Sequence, residues 1–206
     1  FALALFIPLT ARLLLMASRS AELEASVSAF RLLWVGLRLD AVSGGGMTVL
    51  FALAAMLLPG TPLARRALSW AGALLLALLA AAEMAGWFFF QYYDARPNYL
   101  VLEHGADPEV ASVMFKAYPV VRIALAVVVL CWVFYRLMRR VLGTGNGSSL
   151  KDRMAVLAVA LFAAFCVRGT LDHRPLNPSF AAFSSNRLAN EIAGNGLFNV
   201  VYELEQ

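Results

Sequence analysis

Charge is what this sequence has least of. Only 15% of its 206 residues are Asp, Glu, Lys or Arg, and 61% are apolar, where ordinary globular domains have about 25% charged and about 45–50% apolar. Stretches such as 67–82 and 123–134 carry no charge at all, which excludes a water-facing helix there. Cysteine is equally sparse: Cys131 and Cys166 each sit inside an apolar run, as buried fillers and not as a disulfide or metal pair. The two histidines, His104 and His173, have no metal-ligand spacing around them. There is no G-x-S-x-G, no phosphate-binding glycine loop and no nucleophile beside an obvious base. The residues alone therefore describe no catalytic or metal site and ask for no cofactor.

What is present is length of apolar chain. A helix needs about 20 residues to cross a bilayer, and five segments approach that, at about 1–18, 40–59, 67–90, 119–137 and 154–171. The expected fold is an all-α integral membrane bundle of about five transmembrane helices plus interfacial helices. The organisation expected is a transmembrane domain over 1–171 and a juxtamembrane helical linker over 172–206. Segment 1–18 is interrupted by Arg12 with no small-residue cleavage site after it, so it reads as a span and not a secretory signal. The chain starts inside an apolar run at Phe1 and stops inside a helical pattern at Gln206, so both ends are expected to continue. Between the first two spans, Phe30, Leu33, Trp34 and Leu37 share one helical face, which predicts an interfacial helix or a lead-in to the second span.

Arginine and lysine in short loops resist translocation. Arg65 and Arg66 follow the second span, and Arg136, Arg139, Arg140, Lys151 and Arg153 surround the loop after the fourth. Those loops are expected in the cytoplasm, with the N-terminus. Segment 91–118 and the C-terminal tail are then expected outside. The net charge of +4 belongs to these loops, so it is no nucleic-acid signal. The aromatic cluster Trp87, Phe88, Phe89, Phe90, Tyr92 and Tyr93 falls where the third span meets the outer headgroups.

Charges inside spans usually face a protein interior or a watery cavity. Arg12, Asp40, Glu83 and Arg168 qualify. Glu83 reads either as half of an ion pair with an arginine such as Arg12 or Arg38, or as the floor of a polar cavity open to the outer leaflet. Arg38 and Asp40 point about 160° apart on a helix, so each needs a partner elsewhere. Gly44, Gly45 and Gly46 let another backbone or a lipid approach. After the belt come Tyr93, Asp94, Arg96, Asn98 and Tyr99. They could bind a lipid phosphate and glycerol hydroxyl, or simply cap the loop. In the tail, two short helices are expected on either side of Gly194, with Leu188 and Ile192 on one apolar face and Leu197, Val200, Val201 and Leu204 on the other. They would lie on the membrane, dock under a further domain, or serve as a plain connector.

The tail also carries a resemblance. RGTLDHRPLNPSFAAFSSN over 168–186 and ANEIAGNGLFN over 189–199, with GLRLD over 36–40 and DARPN over 94–98 leading to DPEV over 107–110, resemble the membrane-to-catalytic juncture of the lipoteichoic acid synthase family. These are sulfatase-like phosphoglycerol transferases, and the likeness is to the Gram-negative branch. The resemblance implies five spans with a cytoplasmic start, in the bacterial inner (cytoplasmic) membrane. It implies an extracytoplasmic alkaline-phosphatase-like domain with a threonine nucleophile and a divalent metal, Mn or Mg. That domain would move glycerol phosphate from phosphatidylglycerol to an acceptor. It is not among these 206 residues, so its nucleophile and metal ligands map to no position here. For this chain the implied role is anchor and lipid-presenting domain, with membrane lipids and its own C-terminal catalytic domain as partners. The lipid-facing candidates are Arg38, Asp40, Glu83, Tyr93, Asp94, Arg96, Asn98, His173, Arg174 and Asn177. A phosphoethanolamine transferase domain or a non-catalytic lipid-binding or lipid-transport protein are the alternatives.

Overall fold

A computed structural model describes residues 1–24, 26–98, 103, 107–143, 149–170, 173 and 175–204. The described residues are helical with no strand: α1 (Ala2–Ser18), α2 (Ala29–Leu57), α3 (Pro62–Tyr93), α4 (Pro108–Ala117), α5 (Val120–Leu142), α6 (Leu150–Arg168), a 3₁₀ turn (Pro178–Ala181), α7 (Arg187–Ala193) and α8 (Gly196–Leu204). Among them, α2, α3 and α5 are long and apolar enough to cross a membrane. The expected count of five is thus shown for three. α1 is apolar but has 17 residues. α6 has 19, and Lys151, Asp152 and Arg153 occupy its first turn.

Local chemistry sets the boundaries. Ser28 and Thr61 accept hydrogen bonds from the amides of Arg31 and Ala64, both at 3.3 Å, and so cap α2 and α3. Pro62 follows at the first helical position. Ser149 and Asp152 form a reciprocal capping box at α6. Leu58, ahead of Pro59, is extended and ends α2. Phe30, Leu33, Trp34 and Leu37 do not form a separate interfacial helix: Ala29–Leu57 is one helix, so they belong to a lead-in to the second span. Nothing in it breaks the helical pattern, and Gly36, Gly44 and Gly45 pack against neighbouring helices.

The packing is a row. α3 lies along α5, α2 lies along α6, and α1 is wedged between α2 and α3. The glycine run serves this arrangement. A Cβ on Gly44 would come within 3.2 Å of Ala4 on α1, and one on Gly45 within 2.8 Å of the Ala163 carbonyl on α6. Gly46 faces open space. The outward faces of α5 and α6 keep Val121, Leu125, Val128, Trp132, Leu161 and Phe165 exposed, as lipid-facing helices do.

The two ends of the row differ in chemistry. Arg65 at the start of α3 donates to the Leu142 carbonyl at the end of α5, at 2.9 Å, so Arg65, Arg66, Arg139 and Arg140 share one end. Arg38 donates to the Gly169 carbonyl at 2.6 Å, which places the start of α6, with Lys151 and Arg153, at that same basic end. At the opposite end α7 and α8 pack on the bundle. Ala189, Ile192, Ala193 and Phe198 join Leu15, Leu32, Val35, Leu39 and Phe90 in one apolar cluster.

Candidate functional site

The C-terminal segment meets the helices through buried charge. Arg12 is fully buried about 9 Å from the end of α1, and its guanidinium forks onto Asp40 of α2. Nη1 donates to Oδ2, and Nη2 donates to Oδ1 at 2.8 Å. Room for it comes from Gly36, one turn before Asp40, where a Cβ would stand 2.2 Å from Arg12 Nε. The remaining Arg12 donors reach the carbonyls of Ile192, Ala193 and Gly194 at 3.1–3.3 Å.

Those carbonyls close α7. The last carbonyls of a helix have no partner within it and carry its partial negative charge, so two buried guanidiniums are well placed there. Arg96 is the second. It donates from Nε to the Glu191 carbonyl at 3.3 Å, from Nη2 to the Ile192 carbonyl at 3.2 Å, and from Nη1 to the Glu83 carboxylate at 3.2 Å. Its amide donates to Glu191 Oε2 at 2.9 Å. Burial pulls the Arg96 pKa below its ordinary value, while the Glu83 charge pushes it back up.

Asn195 completes the junction. Its Nδ2 donates to Asp40 Oδ1 at 2.7 Å, and its Oδ1 accepts the Phe198 amide at 2.8 Å, capping α8. Ser43 adds a contact to the same oxygen at 3.4 Å. No buried side-chain nitrogen or oxygen among the described residues lacks a partner. Each acid faces one arginine, and every donor ends on protein.

The sequence-derived candidates divide accordingly. Asp40, Glu83 and Arg96 are brought together, all buried. Glu83 pairs with Arg96 and not with Arg12 or Arg38, because Asp94 takes a left-handed conformation (φ 49°) at the end of α3 and turns the chain back over it. Arg96, for which lipid phosphate and loop capping were both open, has its guanidinium donors on protein acceptors. Arg38 is half-buried, bonded to Gly169 and stacked over Phe180 at 4.5 Å. Asp94 is exposed and pairs with Arg19 at 2.7 Å. Tyr93 is exposed beside Phe89, with ring centroids 4.5 Å apart. Asn98 is half-buried, His173 is exposed, and Asn177 is exposed at the start of the 3₁₀ turn. Arg174, Tyr99 and His104 lie outside the described residues.

The tail helices fall where two were expected, and the second docks through a residue outside the apolar face read from its sequence. Phe198 docks into the core while Val201 and Leu204 stay exposed. Sequence reading missed Gly36, Glu191 and Asn195 as members of the junction. For Asn195 a signal was present, since an Asn between two glycines just ahead of an apolar helical run is a helix-cap pattern. No group of His, Cys, Asp and Glu able to hold a metal occurs among the described residues. Comparison with known protein families and with solved structures finds no match for this chain.

Proposed function

We propose that this chain is the membrane anchor and lipid-presenting domain of a phosphoglycerol transferase, acting on phosphatidylglycerol at the outer face of a bacterial inner membrane. The observation that carries the proposal is the buried junction. Residues 186–198 are fixed to the end of the bundle opposite the arginine-rich turns by five hydrogen bonds from Arg12 and Arg96 to the closing carbonyls of α7 and by the Asn195 bond to Asp40, and the two arginines are themselves set by ion pairs to Asp40 and Glu83 within the bundle. A headgroup lies at the bilayer surface, so a water-soluble active site must be held against that surface to reach it. A rigid link supplies the fixed height and orientation that a flexible one would not. The motifs over 168–199 that resemble the lipoteichoic acid synthase family include the residues that build this link.

In this reading α1 and α6 cross the bilayer beside α2, α3 and α5, giving five spans. The basic end faces the cytoplasm with the N-terminus, and α7 and α8 sit on the periplasmic side. A catalytic domain following residue 206 would bring the threonine nucleophile and the Mn or Mg ion. The test uses the full-length gene product in vesicles of head-labelled phosphatidylglycerol. Diacylglycerol release that depends on Mn²⁺ is expected, and release abolished by freeing the tail (Asp40→Ala with Asn195→Ala) supports the anchoring role. Release from phosphatidylethanolamine alone would favour a phosphoethanolamine transferase. No release from either lipid would leave a lipid-binding or transport protein.

A further inference from the structure

Away from the junction, at the same end of the row, lies an open recess of about 390 Å³ between the last turn of α4 and the first turn of α5. Lys116, Tyr118 and Arg122 line it together with the apolar Phe115, Pro119 and Val121. Both cations are exposed, and among the described residues neither has a carboxylate within ion-pairing distance. Tyr118 is held by ring contacts to Tyr92 at 5.5 Å and Phe88 at 5.9 Å, so the recess is tied to the aromatic end of α3. Burial first, then Tyr93 and Tyr92, raise the Tyr118 pKa above its usual 10. Three hydrogen-bond donors and apolar side chains thus line one space.

The height of the recess is fixed by α5 itself. From Arg122 to Arg139 is 17 steps along one helix, about 26 Å, close to the hydrocarbon thickness of about 30 Å. When Arg139 and Arg140 reach one headgroup layer, Arg122 reaches the other. A guanidinium at that depth on an exposed helix face lowers its energy by meeting a phosphate, to which Arg can donate two parallel hydrogen bonds and Lys a point charge. We propose that Lys116, Tyr118 and Arg122 form a binding site for the phosphate of an anionic phospholipid headgroup, with the acyl chains running down the exposed Val121–Leu125 side of α5. The site depends on α5 crossing a membrane and does not depend on the transferase reading.

The experiment is native mass spectrometry of the chain in detergent with short-chain phosphatidylglycerol, short-chain phosphatidylcholine or glycerol phosphate. Phosphatidylglycerol is expected to be retained, and Lys116→Gln with Arg122→Gln to lower its retention about tenfold, with thermal stability unchanged because both side chains are exposed. The charge-matched pair Arg140→Gln with Lys151→Gln is expected to change it by less than about twofold. Equal losses in the two double variants would mean diffuse attraction and overturn the site, as would full retention in the first. Glycerol phosphate binding as tightly as the lipid would reassign the recess to soluble anions. Lipid retention without diacylglycerol release from the full-length product would remove the transferase reading and leave this site standing.

Discussion

Arg12, Asp40 and Glu83 were conspicuous in the sequence as lone charges in apolar runs, and the low dielectric around them explains why each had to find a partner of opposite charge, Arg12 with Asp40 and Glu83 with Arg96. Removing one member of a buried pair leaves the other charge uncompensated, at a cost of about 3–5 kcal/mol. Arg12→Ala is therefore expected to lower the unfolding midpoint in detergent by that equivalent. Replacing both members with apolar residues is expected to cost less than the sum of the single losses. Additive losses would mean that the two side chains act independently. Gly36→Ala is expected to destabilise by about 1–3 kcal/mol through overpacking against the Arg12 guanidinium. That cost should largely vanish in the Arg12→Ala background, and an unchanged cost there would place the strain elsewhere.

Among the elements, α7 and α8 depend most on the rest of the chain. Seven and nine residues are too few to be stable helices alone: their own Asn186 and Asn195 cap the starts of α7 and α8, and the remote Arg12 and Arg96 close α7. Asn195→Ala removes the α8 cap, an effect of about 0.5–2 kcal/mol, together with the bond to Asp40. Amide exchange in Gly196–Leu204 is expected to accelerate while Ala29–Leu57 keeps its protection. Acceleration throughout α2 would show that the tail holds the bundle and not the reverse. The presence of these two helices was legible from the spacing around Gly194. Their docked face was not, because Phe198 and Val201 are equally apolar and only the position of Leu39 and Phe90 chooses between them.

At the scale of the whole molecule, the separation of basic end from junction end gives a topology that labelling can check. Cys131 and Cys166 supply the background for the parent chain. Arg139→Cys is expected to react with an impermeant maleimide only after the membrane is opened, whereas Ser179→Cys, exposed in the 3₁₀ turn, is expected to react in intact spheroplasts. The reverse pattern would turn the bundle over and remove the periplasmic headgroup from reach of α7 and α8. The opposition of the two ends follows from contacts between Arg65 and Leu142 and between Arg38 and Gly169. The arginine counts in the loops had suggested the same division.

Apolar length, additive along the chain, was enough to establish from sequence alone the helical class and three of the five expected spans, and to mark Arg12, Asp40 and Glu83 as unusual. Tertiary structure decided the pairing. A pair such as Arg12 with Asp40 depends on which faces of α1 and α2 meet and on the space left by Gly36. Arg96 reaches Glu83 only because one left-handed residue, Asp94, folds the chain back over α3. Partner choice among buried charges is a property of packed geometry, in which residues 28 and 155 positions away from Asp40 converge on its carboxylate, and no local pattern encodes that convergence.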